Sequence, residues 1–208
     1  MLPHRRNAAV RENSMEIKTI AIVGAAGLGR GLAYGALLAG YRTVLEDISP
    51  SVLEEGIAWI AQAFGDDVAG GKRNAAFRDA ALANLNTANS VEDASREADL
   101  IIEAVPDETE MKIELFTILD KFAKPRAIFA STTPSLSIAE LAAVTFCPEQ
   151  CIGMRFFTDE ARAEQLSLVK GHATSEETIT ACREVGRRMG REVSVLTDKQ
   201  VMSARADD

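Results

Sequence analysis

Uncharged apolar runs alternate with amphipathic stretches along most of this chain. Ile20-Ala21-Ile22-Val23 carries no charge and reads as a strand covered on both faces. A helix over 28–39 follows it, then a strand over 42–46. Ser49-Pro50 opens a second helix, with Val52, Leu53, Ile57, Ile60 and Ala61 on one face up to about Phe64. Positions 65–72 read as a turn-rich link, followed by a short helix near 74–82 and a modest strand near 84–87. Ser90, with Asp93 three residues on, starts a helical segment ending near Ala98. A buried strand is predicted over 99–105. The helix over 107–122 repeats Met111, Leu115, Ile118, Leu119 and Phe122 on one side. The remaining pattern predicts a strand at 127–130, a helix opened by Ser137 and strands at 151–156 and 165–169. A helix at 175–189 and a strand at 192–196 complete it. Such alternation predicts an α/β chain with a doubly wound, mostly parallel sheet.

The junction between the first strand and the first helix carries the chemistry. Gly24-Ala25-Ala26-Gly27-Leu28-Gly29 has the order of a turn that cradles a dinucleotide pyrophosphate on helix-terminal amides. Gly24 permits the tight turn, and Gly29 permits close packing of helix on strand. Ala26 stands where a middle glycine normally lets the backbone approach the phosphates, with Gly27 supplying freedom beside it. The second strand ends at Asp47, 18 residues after Gly29, where a carboxylate accepts from the adenosine ribose hydroxyls. With no arginine immediately beyond it, NAD is expected over NADP. Together these features make the expected fold Rossmann-type, a single domain over 15–200. A leader over 1–14 is expected to be disordered, and 201–208 to form a tail.

Charge and composition narrow the partners. The net charge of −8 argues against sequence-independent nucleic-acid binding, which needs a basic face. Arg5, Arg6 and Arg11 stand against Glu12 in the leader, so the acidic character belongs to the rest of the chain. No apolar run has the length of a membrane span or the pattern of a signal peptide, and a cytoplasmic location is expected. Cys147, Cys151 and Cys182 form no paired framework, and the scarcity of histidines, only His4 and His172, offers no metal set.

Beyond the first βαβ unit, Asp99–Val105 with Met111-Lys112-Ile113-Glu114-Leu115-Phe116, then Ile128–Leu136, then Gly153-Met154-Arg155-Phe156-Phe157 resemble the NAD-binding domain of 3-hydroxyacyl-CoA dehydrogenases. The resemblance covers roughly 16–200. It implies NAD-linked oxidation of a 3-hydroxyacyl thioester, or the reverse reduction, in acyl metabolism. It also implies that Asp107 and Lys112 contact the nicotinamide-side ribose, beside Gly24, Ala26, Gly27, Leu28, Gly29 and Asp47 for the rest of the cofactor.

The same resemblance marks departures. The family's proton-accepting histidine falls on Arg155, its orienting carboxylate on Ser167, its asparagine near the nicotinamide on Thr158, and its catalytic serine on Pro134, with Ser131 and Ser135 alongside. A guanidinium with a pKa above about 12 cannot serve as a base at neutral pH. In the family a helical domain follows the position of Asp198–Met202, so the chain is expected to be a fragment, a stand-alone domain or half of a two-protein system. The first expectation is therefore a stand-alone NAD(H)-binding domain whose dehydrogenase chemistry is weak or lost, with a homo-oligomer or a separately encoded helical domain as partner. A second is an active oxidoreductase on another 3-hydroxy or 3-oxo acid or acyl thioester, using Arg155 with Ser131, Ser135 or Lys112. A third is a non-catalytic regulatory or interaction protein. His172 is the one alternative base in the predicted folded region.

Overall fold

The computed structural model describes residues 15–157 and 164–201. In chain order the elements are β1 (Thr19–Val23), α1 (Gly27–Leu38), β2 (Arg42–Glu46), α2 (Pro50–Ala69), α3 (Ala75–Leu82), β3 (Leu85–Ala88), α4 (Val91–Ser95) and β4 (Leu100–Glu103). They continue with α5 (Thr109–Phe122), β5 (Ile128–Ser131), α6 (Ile138–Ala142), β6 (Cys151–Phe156), β7 (Gln165–Lys170), α7 (Glu176–Arg188) and β8 (Glu192–Thr197). One sheet runs in the order β3-β2-β1-β4-β5-β6-β7-β8. Every pairing is parallel except β6 with β7. The order reverses between β1 and β4, which opens a crevice at their carboxyl ends.

The alternation of side chains divides the core into two layers. Ile20, Ile22, Leu45, Leu100, Ile102, Ile128 and Ala130 face α1, α2, α3 and α7. Ala21, Val23, Ile101 and Phe129 face α4, α5 and α6. Both faces are covered, so the central strands need no polar side, and this is why they read as continuous apolar runs.

Four local expectations are corrected. Helix α2 continues through Gly65 to Ala69, past the predicted end at Phe64. Phe64 is fully buried, and Asp67 accepts from the Tyr34 hydroxyl across the α1–α2 contact, so tertiary contacts carry the helix past the glycine. Gly71, at φ +71°, turns the chain away just beyond it. Strand β4 begins at Leu100 and not at Asp99, because the Asp99 carboxylate accepts from the amides of Lys18 and Thr19, both at 2.8 Å. On α5 the buried positions are Lys112, Leu115, Phe116 and Leu119, whereas Met111 is exposed. Ser137 does not cap α6 with its own side chain. Asp198 reaches across to accept from Ser137 Oγ and from the amides of Ile138 and Ala139.

Gly56 shows how closely α2 approaches the turn after β1. A Cβ there would fall 2.9 Å from the Ala25 carbonyl oxygen and 3.2 Å from its Cβ. Alanine in mid-helix normally gains about 1 kcal/mol over glycine. Gly56→Ala is expected to lose stability instead, by about 1–3 kcal/mol from overpacking against backbone. Urea unfolding checks it, and a gain would mean that the turn yields to α2.

Candidate functional site

The crevice is built first by two close approaches. Gly24 has φ +102°, and a Cβ on it would lie 2.8 Å from the Ala104 carbonyl oxygen. A Cβ on Gly29 would lie 1.7 Å from the Gly24 carbonyl oxygen. Neither position tolerates a side chain, so β1 turns directly into α1 against the end of β4. Ala26 is the N-cap residue, extended and without a side-chain cap, and Arg30 N donates to Ala26 O at 3.1 Å. The amides of Gly27, Leu28 and Gly29 precede that bond and have no helical carbonyl to meet. Ala26 and Gly27 are exposed, and the space where a Gly27 Cβ would lie is open. Unsatisfied amides, a positive dipole end and open space suit a pyrophosphate.

Asp47 borders this turn. Its carboxylate accepts from Ala25 N and Ser49 N, both at 2.9 Å, which fixes the side chain while leaving lone pairs for hydroxyl donors. The residue before it, Glu46, was not foreseen as part of the site. Its carbonyl accepts from Gly24 N at 2.9 Å, and its side chain is only 3% exposed. Burial, then the charges of Asp47 and Glu92, push the Glu46 carboxyl up to about 7. No pattern in the sequence marks it, because Leu45 and Glu46 are both buried and the burial of a carboxylate there depends on the elements that pack over it.

A buried polar cluster stands at the ends of β4 and β5. Register pairs Glu103 with Ser131, and Lys112 reaches them from α5. Lys112 Nζ donates to Glu103 Oε1 at 2.6 Å and to Val105 O at 3.3 Å, and lies 3.6 Å from Asp107 Oδ1. Glu103 also accepts from Val105 N at 2.8 Å and from Ser131 Oγ at 2.5 Å. Thr133 Oγ1 donates to Asp107 at 2.6 Å, and Ser135 Oγ donates to the other Asp107 oxygen. Partial burial raises the Asp107 pKa, but the Ser135 and Thr133 hydroxyls and the Lys112 charge outweigh it and hold the carboxyl below its ordinary range.

The structure thus brings Ser131, Ser135, Asp107 and Lys112 into one cluster and joins Arg155 to it, with Arg155 Nε donating to Thr133 O at 3.0 Å. Lys112 is 1% exposed, and its ammonium meets Glu103 and the Val105 carbonyl. Arg155 pairs in register with Ser167 across β6 and β7, which accounts for their twelve-residue separation. Ser167 Oγ shares a 2.9 Å hydrogen bond with Ser194 Oγ on β8. Pro134 is exposed beside Ser135, and Thr158 lies outside the described residues. His172 lies beyond the opposite end of β7 from the Arg155–Ser167 pair, in a surface cavity with Lys170 and Lys199. Among the described residues no helix is long and apolar enough to cross a membrane, and no cluster of His, Cys, Asp and Glu could hold a metal ion.

A pH dependence follows from Glu46. With its pKa raised from the ordinary 4.5 to about 7, the folded state holds the proton more tightly than the unfolded chain. The protein's stability is therefore expected to fall as pH rises from 4.5 through about 7. Thermal unfolding across that window should show this loss reduced in Glu46→Gln, and an identical slope in the variant would contradict it.

Three comparisons bear on the site. A family model described as 3-hydroxyacyl-CoA dehydrogenase, NAD binding domain, matches residues 19–199. A probable 3-hydroxybutyryl-CoA dehydrogenase of Bacillus subtilis is 33% identical over 184 residues, covering 88% of this chain and 64% of its own length. The 3-hydroxybutyryl-CoA dehydrogenase of Bradyrhizobium diazoefficiens is 35% identical over 182 residues, with 88% and 62% covered. The crystal structure of (S)-3-hydroxybutyryl-CoA dehydrogenase from Ralstonia eutropha superposes with a TM-score of 0.82 at 30% identity, covering 88% of this chain and 64% of that one. The chain spans less than two thirds of the length of these relatives. Its glycine turn, its sheet order and the family match together place it in the 3-hydroxyacyl-CoA dehydrogenase family, as that family's NAD-binding domain.

Proposed function

We propose that the chain holds NAD(H) across the β1–β4 crevice and sets a guanidinium, in place of a proton-accepting imidazole, at the substrate side. The observation that carries this reading is Arg155 at the end of β6, its Nε bound to Thr133 O and its cross-strand neighbour Ser167 turned to Ser194. The amides at 27–29 would hold the pyrophosphate, and Asp47 the adenosine ribose. Bound NAD supplies hydride acceptance. Arg155 remains protonated at neutral pH, so it can hold a carboxylate or polarise a carbonyl but takes no proton from a substrate hydroxyl. The relatives are named for 3-hydroxybutyryl-CoA, and a 3-hydroxyacyl thioester is the substrate class proposed here. With Arg155 for histidine, Pro134 for serine and Ser167 for the carboxylate, the family's ordinary turnover should be weak.

A second reading rests on the hydroxyl cluster beside Arg155. Ser131 and Ser135, held by Glu103 and Asp107, stand where a different substrate oxygen could be received. In that case the chain is an oxidoreductase on an acidic 3-hydroxy or 3-oxo compound, with Arg155 as its clamp.

Calorimetry should show tighter binding of NAD than of NADP, because Asp47 accepts from ribose hydroxyls and repels a 2′-phosphate. Asp47→Ala should narrow that preference and also weaken NAD binding, since the Ala25 and Ser49 amides lose their acceptor. Equal affinities in the wild type would count against the assignment of Asp47.

Acetoacetyl-CoA should be turned over slowly or not at all with NADH, and Arg155→His alone should not restore it. General acid–base assistance is worth about 10²–10⁴ in rate and depends on residues that act as a unit. A steady-state assay of the wild type, Arg155→His and Pro134→Ser/Arg155→His/Ser167→Glu decides between the readings. Rapid wild-type turnover would favour Arg155 as a working catalytic group.

A further inference from the structure

The polar cluster closes into a ring. Glu103 meets Lys112 at 2.6 Å, Lys112 meets Asp107 at 3.6 Å, Asp107 meets Thr133 at 2.6 Å, Thr133 N donates to Ser131 Oγ at 3.2 Å, and Ser131 returns to Glu103 at 2.5 Å. Three segments contribute: the end of β4, the start of α5 with the loop before it, and the end of β5 with the loop after it. Glu103 is fully buried and takes three donors, so both of its oxygens are engaged.

Stability does not account for this arrangement. Lys112 occupies one of the four buried positions of α5, with Leu115, Phe116 and Leu119, where an apolar side chain would complete the stripe. Burying an ion pair costs desolvation that its attraction often fails to recover, and apolar replacement of such pairs is frequently neutral or stabilising. What the pair does is join parts of the site. Through Val105 N, Glu103 supports the strand end on which Gly24 rests, since a Gly24 Cβ would lie 2.8 Å from Ala104 O and 3.2 Å from Val105 N. Through Ser131 it fixes the turn of the β5 loop, and that loop's Thr133 carbonyl receives Arg155.

We propose that Glu103 is a positioning residue that couples the dinucleotide crevice to the β5 loop, so that cofactor binding stiffens residues 132–137 and the Arg155 they hold. This rests on the crevice being the NAD(H) site, as read above. Neither Glu103 nor Ser131 needs to touch the cofactor for the coupling to operate. The paths run through the backbone at 104–105 on one side and through Ser131, Thr133 and Asp107 on the other.

The test uses the 208-residue chain in three forms: wild type, Ser131→Ala, and Glu103→Gln/Lys112→Met. The double variant removes both buried charges together, and Asp107, 30% exposed, keeps its Thr133 and Ser135 donors, so the thermal midpoint should stay near that of the wild type. NADH affinity is measured by fluorescence, and amide exchange of the 132–137 peptide is measured with and without NADH. In the wild type NADH should slow that exchange at least about fivefold, the lower end of ordinary coupling between sites. In the double variant NADH should bind several-fold more weakly and no longer slow the loop. Ser131→Ala, which cuts only the Glu103-to-loop arm, should also lose the slowing. Loop protection equal to wild type in either variant overturns the coupling, as does a wild-type loop indifferent to bound NADH. Failure of NADH to bind the wild type overturns the cofactor reading itself.

Discussion

The close approach of Gly29 to the Gly24 carbonyl is the constraint from which the rest of the site follows. A parallel strand buried on both faces must pass its chain to a helix without exposing the strand end. Here it does so within four residues because no side chain intervenes at either glycine. That turn places the free amides of α1 at the edge of the crevice, holds Ala25 where Asp47 can accept from it, and draws Gly56 of α2 against the Ala25 carbonyl. It also sets Gly24 on the Ala104–Val105 backbone, so the first strand cannot shift without moving the fourth.

On the other side of the crevice the organising element is a buried charge. Glu103 and Ser131 are register partners at the ends of adjacent strands, both turned toward α5, and Lys112 meets them from that helix. In a low-dielectric interior such a pair persists only with its hydrogen bonds satisfied, and here every Glu103 oxygen has a donor. Asp107, held below the ordinary carboxylate range, extends the network to the hydroxyls of Thr133 and Ser135. The carboxylates on the two sides contrast. Asp107 has donors and a cation that hold its carboxyl below the ordinary range, whereas burial and the neighbouring carboxylates push the Glu46 carboxyl up to about 7.

In the proposed reading, Arg155 is where membership of the family and chemistry separate. The fold delivers the same position to the crevice edge through β6, and the antiparallel β7 brings residue 167 beside it. A cation that accepts no proton, with a serine neighbour turned to another strand, offers a clamp and not a base at that position. The fold and its NAD-binding domain carry over from the family, whereas a reaction belongs to the residues of a site and not to the fold.

Local pattern determined a large part of this protein. Strand and helix order, the doubly wound sheet, the glycine turn and the place of Asp47 beside it are legible, because charge-free runs, glycine spacing and a strand-terminal acid are one-dimensional signals of buried strands and helix-terminal amides. Tertiary structure alone decided the rest. Periodicity puts Met111 on the buried stripe of α5, yet Lys112 is the buried residue, because a lysine goes inside only when a partner from another element meets it there. Glu46 and Glu103 were passed over for the same reason, since a carboxylate's burial depends on which elements cover it. The cap of α6 comes from Asp198, some sixty residues away, and α2 outlasted its glycine because Phe64 and Asp67 pack against α1. Sequence spacing carries what neighbours along the chain impose; the partners of buried charges are set by strand register and layer packing, which place residues far apart in the chain within hydrogen-bond reach.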